Sequence, residues 1–189
     1  MLRNELKIAI RFTILTTVLL GILYPLAVTA FGHAFLRERA DGELIVTNGQ
    51  VTGSPLIGQN FTGDLYFHGR PSEAGNGYDA TSSGASNLAP SSQKLITRID
   101  GDIAHYAAEN KSQPVPIDLV TASGSGLDPD ISPAAAMFQA PRIASARHLP
   151  LATVRELVQH HVQGRQFGFL GEERVNVLLL NMDLDRLAH

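Results

Sequence analysis

The sequence predicts a single N-terminal transmembrane helix plus one extracytoplasmic α+β domain with long ordered loops. Three observations predict this fold class. Residues 12–35 contain no Asp, Glu, Lys or Arg. Basic residues dominate the short segment before this run, whereas acidic residues join them after it. The remaining chain, about 150 residues, alternates apolar runs with Gly-, Ser- and Asn-rich segments and is long enough for one domain with a core.

The apolar run is long enough to cross a membrane. As a helix it spans about 36 Å, against a hydrocarbon core of about 30 Å. The excess of Lys and Arg on its N-terminal side predicts that residues 1–11 are cytoplasmic, residues 12–35 form the anchor and residues 36–189 lie outside. In a bacterium, this means a single-pass protein of the inner (plasma) membrane with a periplasmic domain.

The alternative is a cleaved signal peptide, since small residues at 28–30 and 32–34 provide cleavage sites. Signal peptides have a shorter apolar region of about 7–15 residues, so the length favours a retained anchor.

Small or weakly polar residues recur along the anchor at four-residue spacing. Such stripes allow close helix packing in lipid, which predicts a membrane-helix interface. The alternative is that Thr and Gly are simply common in membrane spans. The proline of the stripe removes a backbone hydrogen bond and predicts a kink near the glycine. The stripe consists of Thr13, Thr17, Gly21, Pro25 and Thr29.

The composition excludes several classes of function. The formal net charge is −3, and the chain has no Cys and no Trp. The chain has no basic patch with interleaved aromatic residues, so the sequence does not indicate nucleic-acid binding. Without cysteine, disulfides, thiol chemistry and Cys-based metal sites are excluded.

The first part of the domain contains a hairpin and extended segments. Residues 43–46, the Asn48-Gly49 pair and the following Val51 and Thr52 are typical of a β-hairpin. Residues 56–61 and 65–68 are predicted as strands or extended loop.

Residues 69–90 have almost no aliphatic side chains, and Tyr78 and Leu88 are their predicted anchors. Such a segment is either disordered or an ordered loop held against a partner.

Two helices have recognisable starts. Ser91 or Ser92 precedes an apolar face formed by Leu95, Ile96, Ile99, Ile103 and Tyr106, and this helix should end before Asn110. Ser132 followed by Pro133 predicts a second start. Pro141 should end or kink that helix, which then restarts at residues 142–147.

The segments around these helices are less regular. Residues 114–121 alternate like an edge strand, and residues 122–131 form a tight loop. Pro150 opens a helix that should end at Gly164. The tail from Val175 fits a helix through Val177, Leu180, Leu184 and Leu187, but residues 175–179 also alternate like a strand.

The loop at residues 123–132 invites three chemical hypotheses. The G-x-S-x-G nucleophile pattern is absent around Ser123 and Ser125. Asp128 and Asp130 do not make a complete metal-ligand set. A phosphate nest would lack the lysine of G-x-x-x-x-G-K-[ST]. An ordered turn packed on neighbouring structure is therefore favoured.

One enzymatic alternative rests on Ser91 and Lys94, which match the S-x-x-K pattern of penicillin-recognising enzymes. No K-T-G follows, and a serine before a helix is ordinary capping. The alternative function is a membrane-anchored extracytoplasmic serine hydrolase. The seven histidines show no metal-binding spacing.

Longer motifs occur in a specific order over nearly the whole chain. They are GILYPLAVT (21–29), GSPLIGQNF (53–61), YFHGRPS (66–72), SGASNLAPS (83–91), VPIDLVTASGSGLDP (115–129), ISPAAA (131–136), FLGE (169–172) and VNVL (175–178). With these motifs the chain resembles the C subunit of the Kdp-type potassium-transporting ATPase of bacteria. It departs from the family pattern at Ala85, Ala89, Asp130, His148 and Glu173.

The resemblance implies a non-catalytic, single-span subunit needed for assembly and function. Its partners would be a potassium-translocating multi-span subunit and a P-type ATPase subunit, and ATP and potassium would be handled by the complex. The chain would have no cofactor of its own. The resemblance gives structural or partner-contacting roles to the loop residues Gln59, Arg70, Asn87, Asp118, Ser123, Ser125, Asp128 and Ser132.

Overall fold

A computed structural model describes residues 2–187, which form two compact units divided between Thr52 and Gly53. In the first unit, α1 (Leu2–Val18), a π turn (Leu19–Leu23) and α2 (Tyr24–Phe35) form one helix of 34 residues. Among the described residues, this is the one helix long and apolar enough to cross a membrane. None of its side chains is buried. The helix is therefore a candidate membrane anchor, and it begins well before the apolar run does.

At Gly21, where the sequence predicts a kink, the helix contains the π turn. The Tyr24 amide donates to the Leu19 carbonyl, five residues back. Pro25 has no amide hydrogen to give the Gly21 carbonyl, so the ladder widens immediately before it.

The rest of the first unit consists of α3 (Arg37–Ala40) and a hairpin of β1 (Ile45–Thr47) and β2 (Gln50–Gly53), whose last residue belongs to the second unit. Asn48 and Gly49 have φ angles of 53° and 79°, as a two-residue hairpin turn requires. The predicted hairpin is confirmed.

The second unit is an α+β domain. Its helices are α4 (Gln93–Glu109), α5 (Pro133–Ala146), α6 (Leu151–His161) and α7 (Val177–Leu187). Its sheet consists of β3 (Asp130–Ile131), β5 (Arg174–Asn176) and β4 (Val162–Gln163) in that antiparallel order. The core forms where α5, α6 and α7 pack on β5, and its largest members include Phe67, Leu119, Phe138, Ile143, Val154, Val158, Val175, Leu180 and Leu184.

The two predicted helix starts are confirmed, with one difference. The Ser132 hydroxyl accepts a hydrogen bond from the Ala135 amide at 3.0 Å, and Pro133 is the first residue of α5. Ser92 precedes α4 but makes no side-chain cap. As predicted, α4 ends before Asn110.

Pro141 lies inside a continuous α5, so the predicted end there and restart at residues 142–147 are wrong. Phe138 and Ile143 on either side of it are fully buried, so packing maintains the helix despite the missing hydrogen bond. The end predicted for α6 at Gly164 is also wrong, because the chain leaves the helix after His161 and enters β4.

The predicted edge strand at residues 114–121 is wrong. A 3₁₀ turn (Ile117–Leu119) occupies its centre. Ile117 is 75% exposed, whereas the consecutive Leu119 and Val120 are buried, which is incompatible with a strand facing two sides. Residues 56–61 and 65–68 are loop, not strand. The ambiguous tail contains both elements, since β5 leads directly into α7.

Candidate functional site

The polar motif residues meet in a loop cluster, defined here as residues 69–84 and 121–128. The Ser72 hydroxyl donates to the Gly126 carbonyl at 2.6 Å and accepts from the Tyr78 amide at 2.8 Å. The Ser125 carbonyl accepts from the Ser83 hydroxyl and from the Gly84 amide, each at 2.9 Å. Residues 69–84 of the long segment therefore form an ordered loop, with segment 121–128 of the same chain as its partner.

Arg70 lies at the centre of the loop cluster. Its Nη1 donates to Asp128 Oδ2 at 3.0 Å, and its Nη2 approaches the carbonyls of Thr121 and Ala122 at 3.4 and 3.5 Å. The arginine therefore closes the loop with an ion pair and backbone contacts. Both charged side chains are only about 30% exposed, which strengthens the pair relative to a surface one.

Tyr78 is half-buried within the loop cluster, as predicted for an anchor residue. Its hydroxyl donates to the Arg70 carbonyl at 2.6 Å. Burial, with a smaller contribution from Asp128, raises the pKa of Tyr78 to about 12. The phenol therefore stays neutral and acts as a hydrogen-bond donor.

Asp118 and Ser132 form a second connection. Asp118 Oδ2 accepts from the Ser132 amide at 2.7 Å, and Oδ1 accepts from its hydroxyl at 3.1 Å. Because the same hydroxyl caps α5, the carboxylate fixes the 3₁₀ turn to the start of that helix.

The remaining predicted residues lie at different positions in the domain and make separate contacts. A Cβ on Gly53 would collide with the Gln59 amide. Ser123 is buried, and its amide donates to the Pro71 carbonyl at 3.2 Å. The Ser125 hydroxyl accepts from the Leu127 amide at 3.1 Å. Asn87 is exposed in a left-handed conformation, with φ of 50°.

Four predicted residues line one open groove of about 570 Å³, namely Arg70, Asp118, Asp128 and Ser132. Asp130 lies in the same groove and pairs with Arg174 at 3.0 Å. Burial raises the pKa of Asp130, while Arg174 opposes that shift. Within residues 2–187, no group of three or more His, Cys, Asp or Glu side chains is arranged to hold a metal ion.

The serine–lysine hypothesis loses its geometric basis. Ser91 lies before Ser92, the residue that precedes α4, whereas Lys94 lies in the first turn. The helical turn that would place the two side chains on one face is therefore absent, and both residues are exposed.

Two buried side-chain amides that hold the loop at residues 66–68 were not among the predicted site residues. Asn181 Oδ1 accepts from the Phe67 amide and its Nδ2 donates to the Phe67 carbonyl, each at 2.9 Å. Gln139 bonds the amide and carbonyl of His68 in the same manner, at 2.8 and 3.1 Å. A signal was available for Asn181, because it lies between Val177 and Leu184 on an otherwise apolar helix face.

Two arginines complete this support. Arg142 pairs with the nearly buried Glu109 at 2.9 Å and donates to the Asp64 carbonyl at 2.6 Å. Arg147 donates to the Leu65 carbonyl at 2.7 Å and lies over the Tyr66 ring. Burial, and then the Arg142 charge, lowers the pKa of His68, whose Nε2 lies 2.9 Å from the Gly63 carbonyl.

The fold and the site together define a class: one apolar N-terminal helix followed by an α+β domain whose motif loops are bonded to each other. The family model described as the c chain of the K⁺-transporting ATPase (KdpC) matches residues 6–186, which include both the helix and the domain. The chain belongs to this family.

Individual relatives match over almost their full length. A protein of Acidobacterium capsulatum is 56% identical over 97% of this chain and 99% of its own. One from Koribacter versatilis is 49% identical over 97% and 95%, and one from Mycobacterium tuberculosis is 48% identical over 98% and 100%. Each of the three is named a potassium-transporting ATPase KdpC subunit.

Proposed function

We propose that the chain is a non-catalytic accessory subunit of an ATP-driven, high-affinity potassium uptake complex. It assembles or stabilises the potassium-translocating multi-span subunit and the P-type ATPase subunit. ATP and potassium are handled by those subunits, and this chain needs no cofactor. The observation that carries the proposal is the family match over residues 6–186, covering helix and domain together.

The roles of the motif residues support a scaffold rather than a catalyst. Arg70, Asp118, Asp128 and Ser132 are engaged in bonds within the domain. These bonds shape loops and cap a helix, so the motifs have a structural explanation that requires no reaction.

In the membrane, the stripe of Thr13, Thr17, Gly21, Pro25 and Thr29 contacts helices of the partner subunits. A Cβ on Gly21 would meet only Thr17 Cγ2, at 3.8 Å. A larger side chain at this position is therefore compatible with the chain itself and obstructs only a neighbouring helix.

The test is co-purification from native membranes in mild detergent. The wild-type chain should be recovered with much larger multi-span partners. Gly21→Leu should reduce that recovery by about tenfold, whereas Ala27→Leu, which also enlarges an exposed position of the helix but off the stripe, should leave it unchanged. A wild-type chain recovered alone and monodisperse would refute the accessory role. Equal recovery of both variants would refute only the stripe.

The proposed topology places residues 1–11 in the cytoplasm and residues from 36 onward in the periplasm. Since the chain has no cysteine, single cysteines report location without background from the chain itself. A membrane-impermeant maleimide that reaches the periplasm should label Lys111→Cys but not Asn4→Cys in intact cells. Both positions are exposed, so labelling of Asn4→Cys alone would invert the topology.

A further inference from the structure

The segment joining β4 to β5, with the flanking strand residues Gln163 and Arg174, forms an exposed aromatic arm, defined as residues 163–174. Every residue of the arm is exposed. Its tip carries Phe167, Phe169 and Leu170, which are 80%, 71% and 47% exposed. Scattered single apolar residues are normal on a surface, but three within four positions concentrate exposed apolar surface at one turn.

The arm is ordered by its own hydrogen bonds. Gln166 and Leu170 exchange two backbone bonds of 2.9 Å each, and the Gly168 amide donates to the Arg165 carbonyl at 3.1 Å. Arg165 pairs with Glu172 across the base of the tip at 3.3 Å. The rings are therefore presented on a preformed turn, which reduces the entropy lost on binding.

The tip also retains a strained residue. Phe167 has a φ of 54°, in the left-handed region that bulky side chains rarely adopt. Asn or Gly would take this conformation at lower cost. A strained aromatic residue that is almost fully exposed is not explained by the packing of the domain, and such strain points to a contact made elsewhere.

Charge distinguishes the possible occupants. Within residues 164–173 the arm carries one arginine against two glutamates, and the neighbouring Arg174 is paired with Asp130. Glu172 is largely exposed, and no ion pair engages Glu173 among the residues that the structure describes. An anionic lipid surface would repel the unpaired acidic charge of the arm. A protein pocket with an apolar floor and basic rim would attract it.

The apolar surface of the tip is too small to hold two copies of this chain together by itself. A stable interface buries about 800 Å² on each partner, more than three side chains at a hairpin tip provide. The arm is suited to anchoring a chain that other contacts already hold nearby, where two aromatic residues contribute as hot spots.

We infer that the aromatic arm inserts Phe167 and Phe169 into an apolar, basic-rimmed pocket on another subunit of the complex. The inference rests on the proposed function for the existence of that complex. Glu173, which no ion pair engages among the described residues, orients the arm at the rim of the pocket.

The first test is photo-crosslinking in the assembled complex. Phe169 is replaced by p-benzoylphenylalanine in the full chain, with Ile103 on α4, which is 41% exposed, as the matched apolar control position. A crosslink from position 169 to another subunit of the complex, with none from 103, supports the inference. A lipid adduct, a crosslink to a second copy of this chain, or no crosslink would overturn it.

The second test measures retention. The double variant Phe167→Asn, Phe169→Ser should dissociate from the complex in mild detergent at least about tenfold faster than wild type. Ile103→Ser should dissociate within about twofold of wild type. Gly168→Ala, with φ of 82° at that position, keeps both rings but disturbs the turn and should give an intermediate rate. Unchanged dissociation of the double variant would overturn the arm while leaving the accessory role intact, whereas wild type that forms no complex would refute the proposed function itself.

Discussion

The loop cluster and the aromatic arm are both turn-rich segments of one domain, yet they are held in different ways. The loop cluster forms bonds between distant parts of the chain, such as Arg70 with Asp128 and Ser72 with Gly126. The bonds that order the tip of the arm are its own. A segment held by the rest of the domain contributes to its stability, whereas a segment held only by itself remains free to serve a surface role.

Glycine has a different meaning in the two regions. Gly126 in the loop cluster has φ of 69°, and a Cβ there would lie 2.7 Å from the Ala74 amide nitrogen. Gly168 in the arm also has positive φ, but a Cβ there would meet nothing within 4 Å. Gly126 is required both by its positive φ and by the lack of room for a side chain, whereas Gly168 is favoured by its positive φ alone.

Among the substitutions that test this comparison, the largest expected effect is that of Gly126→Ala. Left-handed strain and overlap with Ala74 backbone should together cost about 3–4 kcal/mol and lower Tm by roughly 10 °C. Gly124→Ala is the matched control in the same motif, because its Cβ would meet nothing within 4 Å and its φ is not in the left-handed region. Calorimetry of the full chain in detergent measures both. Equal Tm values for the two variants would mean that the loop cluster does not stabilise the domain.

A somewhat smaller loss is expected for Asn181→Leu. The change leaves the buried amide and carbonyl of Phe67 without partners and should cost about 2–3 kcal/mol. Gln93→Leu, which removes an exposed amide, should change the unfolding free energy by less than about 0.5 kcal/mol. In chemical denaturation, unfolding of Asn181→Leu at the wild-type midpoint would contradict this role of Asn181.

A smaller effect depends on pH. Because the folded state lowers the pKa of His68 from its ordinary 6.5, the unfolded chain binds a proton more readily below that value. Stability should therefore be unaffected by His68 above about pH 6.5 and should decline as pH falls below it. His68→Gln should flatten this decline in Tm between about pH 6.5 and 5. A variant that retains the wild-type slope would place the titration elsewhere.

Local signals predicted the elements that local chemistry controls. The Asn48-Gly49 turn, the Ser132-Pro133 helix start and the apolar helix containing residues 12–35 are all present. Each depends on a preference of adjacent residues that tertiary contacts reinforce. The edge strand at 114–121 failed because its alternation arose from two prolines and an exposed Ile117, while Asp118 was committed to Ser132 far along the chain.

The site was predictable as a set of residues but not as a network. The motifs identified Arg70 and Asp128, yet only the fold shows that they meet across 58 positions. The buried side-chain amides of Gln139 and Asn181 were harder to recognise. Each bonds the backbone of residues 67–68 as a neighbouring strand would, and the sequence does not show that this loop lacks such a strand. Pairings between distant residues require the topology, which short motifs do not contain.

The smallest expected effect on stability is that of Phe167→Asn in the isolated full chain. Removing the ring exposes no core, since Phe167 is almost fully exposed, and Asn adopts φ of 54° more readily than Phe. The free energy of unfolding should remain within about 0.5 kcal/mol of wild type, with any change towards greater stability. Phe138→Ala, which removes a buried ring, is the contrasting control and should lose about 3–5 kcal/mol. A large loss for Phe167→Asn would mean that the ring stabilises the domain, and the difference between a supporting loop cluster and a free arm would then disappear.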